Sequence, residues 1–532
     1  MGTTLGHDEA REDDRREATT TLRPDAAVPS RRRFFSTAVM AAAALVAATP
    51  EMAPAQGIRR ARRKLPEPVR GVSLSLASAA APPDAQLAVW RDPVARLVRR
   101  VTLGFTKAEL DRAKKLGYSK YLEEQLKPTA IDDRNVAAFV TANYPTLRMT
   151  PDELYGAEQG KVNAELQEST VYRAVFSNRQ LYERMVEFWG DHFSIDTDKV
   201  GYLKTTDDRD VIRRHAMGKY PALLRASAHS AAMMAYLDQP SSRRGNINEN
   251  YAREIMELHS VGVDGGYTQQ DVNELARVLT GWTVSGRGIF TYDAQLHDFG
   301  PKSVFGRTIP ATATARGLAG KGEADAMIDM LALHPKTAQY IALKVTRFLL
   351  QYDPTDALVQ AVAAEFTKTK GDIPSMIRVI LAEQNLMAAP AKYKRPFHLA
   401  VSAVRALGPT VTSTSYVRSQ LDAMGHAPFK WETPDGYPDR MEFWSGLVLS
   451  RWNAVVGVSG QTGATFNFDV TPFVGTSADT SAALIIDRLF GGEVPESLRT
   501  RLQTFLRTTP TSPARVREAV GLALSSVQFQ WY

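Results

Sequence analysis

The sequence contains no cysteine, and this absence excludes several kinds of chemistry. Disulfides, zinc–thiolate sites, iron–sulfur clusters and thiol nucleophiles all require cysteine. The nucleotide-binding patterns G-x-G-x-x-G and Walker A are also absent, as are the hydrolase pattern G-x-S-x-G and the zinc-protease pattern H-E-x-x-H. The sequence therefore carries no signature of a nucleotide, haem or iron–sulfur cofactor.

An excess of charge of one sign is missing as well. There are 65 Lys and Arg residues against 58 Asp and Glu, a formal net charge of +7 over 532 residues. This balance is too mild to indicate a nucleic-acid partner. Apolar residues make up 44% and charged residues 23%, which is typical of a globular chain with a buried core. Whole-chain disorder, collagen and coiled coil are excluded.

The first sixty residues predict an export signal. The string S-R-R-R-F-F at 30–35 resembles the twin-arginine pattern, and a short apolar run, 37–49, follows it. The run is shorter than the roughly twenty residues that span a bilayer, and A-P-A at 53–55 offers a signal-peptidase site. We therefore expect a cleaved leader and no stable membrane span after cleavage.

This interpretation sets the predicted boundaries of the chain. Residues 1–55 form a twin-arginine-type signal peptide in which Arg31 and Arg32 are the paired arginines. Residues 56–88 are a flexible linker, basic at first and then rich in Ala and Pro. The expected partner is the twin-arginine export machinery, and the expected location is periplasmic or extracellular.

Residues 89–532 show apolar positions at helical spacing, which predicts a single large, mainly α domain with long loops. One small β-hairpin is expected, in which 288–292 pairs with 303–309. A short Gly-rich segment joins two predicted helices, 250–261 and 268–279, and indicates antiparallel neighbours in contact. In the second helix, Thr268 and Asp271 are spaced as a capping box.

The first of these two helices carries an unusual pair of carboxylates. Glu254 and Glu257 lie about one turn apart on the flank of an apolar face. Two carboxylates at this spacing repel each other unless a cation, a proton or an arginine lies between them. On an exposed surface the pair would have no significance, but in a buried setting it would shift a pKa or bind a metal.

We predict that four residues converge on one polar pocket as candidate catalytic groups: Glu254, Glu257, His192 and His297. Histidine is the commonest side chain for proton transfer near neutral pH, and carboxylates are the usual alternative. Carboxylate and imidazole groups together would suit Ca²⁺, Mn²⁺ or Zn²⁺, so a divalent metal is a candidate cofactor. The candidate binding residues around this pocket are Arg253, Asp271, Lys302, Trp282 and Trp431.

Four strings of the sequence resemble one family. They are N-E-N-Y-A-R-E-I-M-E-L-H-S-V-G-V-D-G-G-Y-T-Q-Q-D-V with E-L-A-R-V-L-T-G-W (248–282), F-W-G-D-H-F (188–193), H-D-F-G-P-K (297–302) and T-P-D-G-Y-P (433–438). These strings are similar to the motifs of the exported bacterial proteins catalogued as domain of unknown function 1800. The resemblance covers about residues 90–530. It implies export and a co-exported partner of the 1501 family, whose members resemble alkaline phosphatases and sulfatases.

Two functions remain open at this point. In the first, the protein is folded before export and is a binding or assembly partner of a co-exported enzyme. Its polar residues then form a salt-bridge lattice of Arg253, Glu254, Glu257 and Arg277. We favour this function because polar networks in large helical proteins are usually structural.

The alternative is an extracytoplasmic hydrolase or lyase acting on a polysaccharide or another polymer, with its clustered Glu and His residues as acid and base. Glu254 and Glu257 share one helix and cannot flank a glycosidic bond unaided. A further carboxylate, Asp271 or Glu249, would then have to take part. Either of two findings would favour the first function over this one: His297 lying far from Glu254, or an arginine that closes each carboxylate.

Overall fold

The structure is a computed structural model that describes residues 90–311 and 319–532. All of the described residues belong to one compact unit. The predicted signal peptide with Arg31 and Arg32, and the predicted linker 56–88, lie outside the described residues. Their boundaries stay predictions.

The first half of the described chain is built from helices and short connections. In order, these are α1 Pro93–Val101, α2 Lys107–Leu116, α3 Tyr118–Gln125, α4 Arg134–Asn143, α5 Pro151–Gly156, α6 Gln159–Phe176, α7 Gln180–His192, α8 Thr197–Val200, α9 Leu203–Asp207, α10 Arg213–His215, α11 Tyr220–Ala228, α12 Ala231–Tyr236, α13 Asn250–Glu257 and α14 Gln269–Leu279. A single π-helical turn, Asp208–Ile212, joins α9 to α10 without a break. The predicted helical class is confirmed.

The strands pair differently from the prediction. The four that follow α14 are β1 Trp282–Ser285, β2 Ile289–Tyr292, β3 Lys302–Val304 and β4 Arg307–Ile309. β1 pairs antiparallel with β2, and β3 with β4, so each of the two predicted strand regions belongs to its own local hairpin. The predicted pairing of 288–292 with 303–309 is wrong. Tight turns at Gly286 and Gly306, both with positive φ, close each strand onto its immediate neighbour instead.

Helices also dominate the second half. They are α15 Ala319–Ala332, α16 Pro335–Leu349, α17 Asp356–Thr369, α18 Ile373–Ile380, α19 Glu383–Ala388, α20 Pro396–Leu407, α21 Ser415–Ala423, α22 Met441–Trp444, α23 Val448–Ser459, α24 Ala478–Phe490, α25 Glu496–Arg507 and α26 Pro513–Ser525. A third small antiparallel pair joins β5 Thr410–Val411 to β6 Phe466–Asn467. No helix in the described ranges is both long and apolar enough to cross a membrane.

Two large apolar clusters form the core. One gathers buried side chains of α1, α7, α11 to α18 and the first hairpin, and the other gathers those of α20, α23, α24 and α26. Within the first cluster, the ring of Phe188 on α7 packs against Phe348 on α16, with ring centroids 5.2 Å apart. This contact places the end of α7 beside α16, where the candidate site lies.

The signature helices α13 and α14 contact each other, as the short segment between them predicts. Thr268 caps α14, and Asp271 completes the capping box. α13 is shorter than predicted because Glu257 is its last helical residue. The backbone N–H of His259 still donates to the carbonyl of Glu254, at 3.0 Å. The chain therefore turns inward immediately after the helix and buries His259.

Candidate functional site

The flank of α13 carries the two predicted carboxylates, and their surroundings differ. Glu257 accepts a hydrogen bond from the hydroxyl of Tyr267 at 2.6 Å, and Arg253 Nη1 lies 3.5 Å from it. Arg253 donates its shortest side-chain hydrogen bond to Gln269, at 2.7 Å, and lies 3.4 Å from Glu249. Arg253 therefore does not clamp either predicted carboxylate in a bidentate geometry.

Glu254 makes neither a side-chain hydrogen bond nor an ion pair within the described part of the chain. Burial raises its pKa to about 7, and the negative charge of Glu257 contributes in the same direction. Arg253 opposes this shift, whereas the carboxylate of Asp435 adds to it. Glu254 is thus a half-buried carboxyl group that exchanges its proton near neutral pH.

Asp435 lies in the loop that connects α21 to α22 and carries the T-P-D-G-Y-P string. Its Oδ1 accepts hydrogen bonds from the indole of Trp431, at 2.9 Å, and from the hydroxyl of Thr433. A second bond fastens this loop to the body: Tyr236 donates to the carbonyl of Glu432 at 2.8 Å. The loop therefore presents an exposed carboxylate to the flank of α13.

Lys344 approaches Asp435 from α16. Burial lowers its pKa to about 8, although the negative charges of Asp191 and Asp435 oppose the shift. Its ammonium nitrogen lies 5.5 Å from the ring centroid of Tyr340. In the described ranges this ammonium has no hydrogen-bonding side chain and no ion-pair partner within 4 Å. We call the group of Asp191, Glu254, Lys344 and Asp435 the polar basin.

Two histidines lie behind the polar basin. The rings of His192, at the end of α7, and His259, after α13, are 6.1 Å apart. Both are buried, and burial lowers both pKa values, that of His259 to about 3, with Lys344 acting in the same direction. Neither nitrogen of His192, nor Nε2 of His259, makes a hydrogen bond of ordinary geometry within the described residues. At neutral pH both rings are uncharged and can accept a proton only at a high free-energy cost.

Arg395 binds the end of α7, which forms one side of the polar basin. Its guanidinium donates to Asp191 at 2.6 Å and also contacts Glu187, one turn earlier on α7. Despite this ion pair, burial raises the pKa of Asp191 to about 6. These two ion pairs of Arg395 fix the end of α7. Lys344 makes no direct ion pair with Asp191 among the described residues.

A small cavity of about 50 Å³ adjoins this side of the polar basin. Asp191 and Glu187 line one side of it, and the aromatic rings of Phe429, Trp431 and Tyr437 line the other. Trp431 is half-buried, and its ring centroid lies 5.1 Å from that of Tyr437. The predicted binding residue Trp431 therefore lies between this cavity and Asp435.

His297 and Lys302 lie in a separate cluster. Lys302 donates to Glu323 at 2.8 Å, and Nε2 of His297 lies 3.3 Å from the same carboxylate. Nδ1 of His297 donates to the carbonyl of Thr280 at 2.6 Å. Both side chains are fully buried. The expected convergence of His297 with Glu254, Glu257 and His192 is therefore wrong. The two ring nitrogens of His297 contact Thr280 and Glu323 on α15 instead.

Two of the predicted binding residues are structural. Asp271 accepts from Thr268 in the capping box and from the backbone N–H of Phe305, at 2.8 Å. Trp282 is fully buried and packs edge-on against His229 and Phe290.

The predicted lattice partner Arg277 pairs with Glu274 and Asp298 rather than with α13. Arg253 is the one predicted binding residue on the flank of α13 itself.

The described residues contain no group of three or more His, Asp or Glu side chains arranged to hold a metal ion. Glu254 and Glu257 lie beside Arg253 and Tyr267, and His192 is turned into an aromatic environment of Phe188, Trp189 and Phe193. The four predicted site residues do not provide a common coordination sphere.

The residues predicted from the sequence did not include Asp191, Lys344 and Asp435 of the polar basin, or the neighbouring His259. A signal for Lys344 was available: the apolar stripe of α16 runs through Ile341, Val345 and Phe348, and a lysine at 344 falls beside that stripe. Asp435 had a weaker signal, since it belongs to a family-like string but lies in a loop. Their proximity to Glu254 arises from contacts between distant parts of the chain.

The chain belongs to the family described as "Protein of unknown function (DUF1800)", whose sequence profile matches residues 96–531. No curated protein and no solved structure matches the chain. The strings 188–193, 248–282 and 433–438, which resemble this family, supply α7, α13 and the Asp435 loop of the polar basin. The fourth string, 297–302, supplies the separate buried cluster.

Proposed function

We propose that this protein is exported in the folded state and is an acid–base enzyme, a hydrolase or lyase acting on a polysaccharide outside the cytoplasm. The separation of His297 from Glu254 counts against the site that the sequence predicted, so the proposal rests on a different observation. Glu254 and Lys344 both lack an ion-pair partner in the described ranges, and both lie within electrostatic reach of Asp435. A structural lattice would pair such groups with each other, because an unpaired charge in a desolvated site is costly.

The two groups have complementary proton chemistry. A carboxyl group with a pKa of about 7 is present in both protonation states near neutral pH and can donate or accept a proton. An ammonium group with a pKa of about 8 is mostly charged at pH 7 and can stabilise a negative charge or donate a proton. We assign Glu254 as the general base or acid and Lys344 as the cationic partner.

Asp435 supplies the second carboxylate that the hydrolase or lyase hypothesis requires. It comes from a different element than Glu254, so these two carboxylates are not confined to one helix flank, as Glu254 and Glu257 are. Asp271 and Glu249, the carboxylates named from the sequence, are bound to Thr268 and Gln269 instead. The aromatic rings of Trp431 and Tyr437 provide apolar surfaces for a sugar ring next to the basin.

The proposed location follows from the sequence of the leader. The twin-arginine pattern with Arg31 and Arg32 supports export of a folded chain by the twin-arginine machinery to the periplasm or the outside of the cell. A polysaccharide is available as a substrate in either compartment.

The test is a panel of bacterial and plant polysaccharides, acidic and neutral, incubated with the purified mature protein. Hydrolysis appears as new reducing ends, and elimination appears as absorbance of an unsaturated sugar. We expect Glu254→Gln and Lys344→Met each to reduce the rate at least 100-fold. Glu257→Gln on the same helix is the matched control and should lose less than 10-fold. Equal activity of the Glu254→Gln variant and the wild type would refute the assignment.

A second function is supported by a separate observation. Phe443 is 50% exposed, Leu449 is 60% exposed and Val448 is 38% exposed, all within the short stretch 443–449 on α22 and α23. Exposed apolar side chains that lie together are typical of a protein-binding surface. This favours a binding or assembly partner of a co-exported enzyme, for which the sequence resemblance names the 1501 family. Co-purification with such a protein, lost in a Phe443→Ser/Leu449→Ser variant, would support it.

A further inference from the structure

A second cavity, of about 380 Å³, lies outside the polar basin, between α4, α6 and the π-helical turn. Six arginines and three carboxylates line it, together with Tyr144, Tyr182 and Thr205. The arginines are Arg134, Arg148, Arg173, Arg179, Arg209 and Arg213, and the carboxylates are those of Asp133, Glu183 and Asp208. Arg134 pairs with Asp132, and Arg209 pairs with Asp210. Among the described residues, the arginines of the lining without an ion-pair partner are Arg148, Arg173 and Arg179.

Arg173 is the clearest unsatisfied group of this cavity. It lies in the last turn of α6, and its guanidinium makes neither a hydrogen bond nor an ion pair with any part of the chain that the structure describes. Burial lowers its pKa to about 10, and the neighbouring charge of Arg213 acts in the same direction. The Arg173 side chain is only partly buried, so water reaches its guanidinium in the free protein, and a bound acceptor would replace that water.

Arg213 is only partly satisfied. Its Nη1 lies 3.0 Å from Glu183 and its Nε lies 2.8 Å from Asp208, so two edges of the guanidinium are occupied. Its Nη2 is buried and has no hydrogen-bond partner in the described ranges. The side chain is 10% exposed, so bulk water does not readily replace the missing acceptor.

Unsatisfied acceptors are enclosed directly behind the cavity lining. Oδ1 of Asp208 and the hydroxyl of Thr205 are buried and lack partners within the described residues. Asp208 begins the π-helical turn, a rare distortion that is found frequently at functional sites. A simple anion would satisfy the arginines but would be repelled by Asp208, so the complementary ligand also carries hydroxyl donors.

We propose that this cavity binds a small hydroxyl-bearing anion, namely a sugar unit that carries a carboxylate or a phosphate. The acid group would accept a hydrogen bond from Arg173. Once side-chain movement uncovers the enclosed atoms, Nη2 of Arg213 would donate to the same acid group, and ring hydroxyls would donate to Asp208 and contact Thr205. Tyr144 and Tyr182 line the remaining wall and offer apolar surface to the ring. The site is independent of the catalytic assignment in the polar basin, because it shares none of the basin residues.

The experiment measures binding to the purified mature protein by calorimetry and by thermal unfolding. The probes are glucuronate and glucose 6-phosphate, which distinguish a carboxylate source from a phosphate source, with glucose and inorganic phosphate for comparison. We expect at least one of the two sugar anions to bind at least tenfold more tightly than glucose and than inorganic phosphate. Equal binding of glucose and both sugar anions would overturn the proposal.

The decisive variant is Arg173→Gln. Because Arg173 has no partner in the free protein, its removal should leave the melting temperature equal or higher, while binding of the preferred sugar anion falls at least tenfold. A purely structural arginine would show the opposite behaviour, namely a lower melting temperature and unchanged binding. Arg307→Gln, an exposed arginine on β4, is the matched control and should change neither value.

A second variant keeps the proposal testable if Arg173→Gln does not fold. Arg148 is exposed and lines the cavity, so Arg148→Glu is compatible with folding and reverses the charge at the entrance. We expect this variant to weaken binding of the sugar anion at least threefold and to leave weak glucose binding unchanged. Unchanged binding of the anion in both variants would overturn the site.

Discussion

Gly436 lies directly against the backbone carbonyl oxygen of Asp191, so closely that a side chain at position 436 would overlap with it. Gly436 also has a φ of 76°, a conformation that other residues adopt only with strain. This contact packs the loop that carries Asp435 against the end of α7. The carboxylate of Asp435 thereby comes within electrostatic reach of both Glu254 and Lys344.

The first prediction concerns this contact. Gly436→Ala should destabilise the protein by about 3 kcal/mol, because the positive φ costs about 1 kcal/mol and the overlap with Asp191 adds the rest. Gly425→Ala is the matched control: its φ is also positive, at 67°, but no atom lies within 4 Å of the added carbon. Urea unfolding of both variants measures the difference. Equal losses of unfolding free energy in Gly436→Ala and Gly425→Ala would show that the contact with Asp191 does not hold the loop.

The second prediction concerns Glu254 and the pH dependence of stability. Its folded-state pKa of about 7 lies above the ordinary value of 4.5, so the folded protein binds the proton more tightly than the unfolded chain. The resulting contribution favours folding at low pH and is lost as the pH rises from about 4.5 to about 7. Glu254→Gln should remove this loss of stability with rising pH. It should raise the free energy of unfolding at pH 8 by roughly 1 kcal/mol, after allowance for solvent screening.

Glu257→Gln is the control for that experiment. It removes the charged acceptor of the Tyr267 hydrogen bond and should lower the free energy of unfolding by about 1 kcal/mol. The two variants, one turn apart on α13, are therefore expected to change stability in opposite directions at pH 8. A loss of stability in Glu254→Gln would indicate that its carboxylate has a stabilising partner.

The third prediction concerns Lys344. Its pKa of about 8, lowered from 10.5 by burial, can be measured after reductive methylation of the lysines with ¹³C-formaldehyde. One dimethylamine resonance should titrate near pH 8, and this resonance should be missing from the spectrum of Lys344→Met. In Asp435→Asn the same resonance should titrate at a lower pH, because Asp435 favours the charged ammonium. An unchanged midpoint in that variant would place Asp435 outside the site.

The fourth prediction concerns the buried cluster of His297, Lys302 and Glu323. Glu323→Gln leaves the fully buried ammonium of Lys302 without its counter-charge and should destabilise the protein by about 3 kcal/mol. Asp325→Asn, two residues later on α15, is the matched control, because its partners Lys321 and His229 are only partly buried. It should cost about 1 kcal/mol or less. The proposed enzymatic activity, measured per folded molecule, should be unchanged in both variants, since this cluster is separate from the polar basin.

The fifth prediction concerns export. Arg31→Lys together with Arg32→Lys should abolish the appearance of the mature protein outside the cytoplasm, because the twin-arginine route requires the arginine pair. Arg33→Lys alone changes a neighbouring arginine outside the pair and should leave export intact. Immunoblots of cytoplasmic and exported fractions measure both. Undiminished export of the double variant would refute the twin-arginine interpretation.

Local features of the sequence were sufficient for the helical class, for the capping box of Thr268 and Asp271, and for the contact between α13 and α14. Each of these depends on residues a few positions apart or on a short connection, where periodicity and capping have a direct physical meaning. The motifs also identified the family. The strand pairing was predicted wrongly because the strand periodicity does not specify which neighbour a strand will choose.

The composition of the site was decided by tertiary structure alone. Glu254, Lys344 and Asp435 come from α13, α16 and a loop beyond α21, and only the packing of α7 against α16 and the seating of Gly436 bring them together. A different set of contacts, with Thr280 and with Glu323 on α15, holds His297 in its own cluster. Burial, which produces the shifted pKa values of Glu254 and Lys344, is a property of the folded surroundings and has no counterpart in the local sequence.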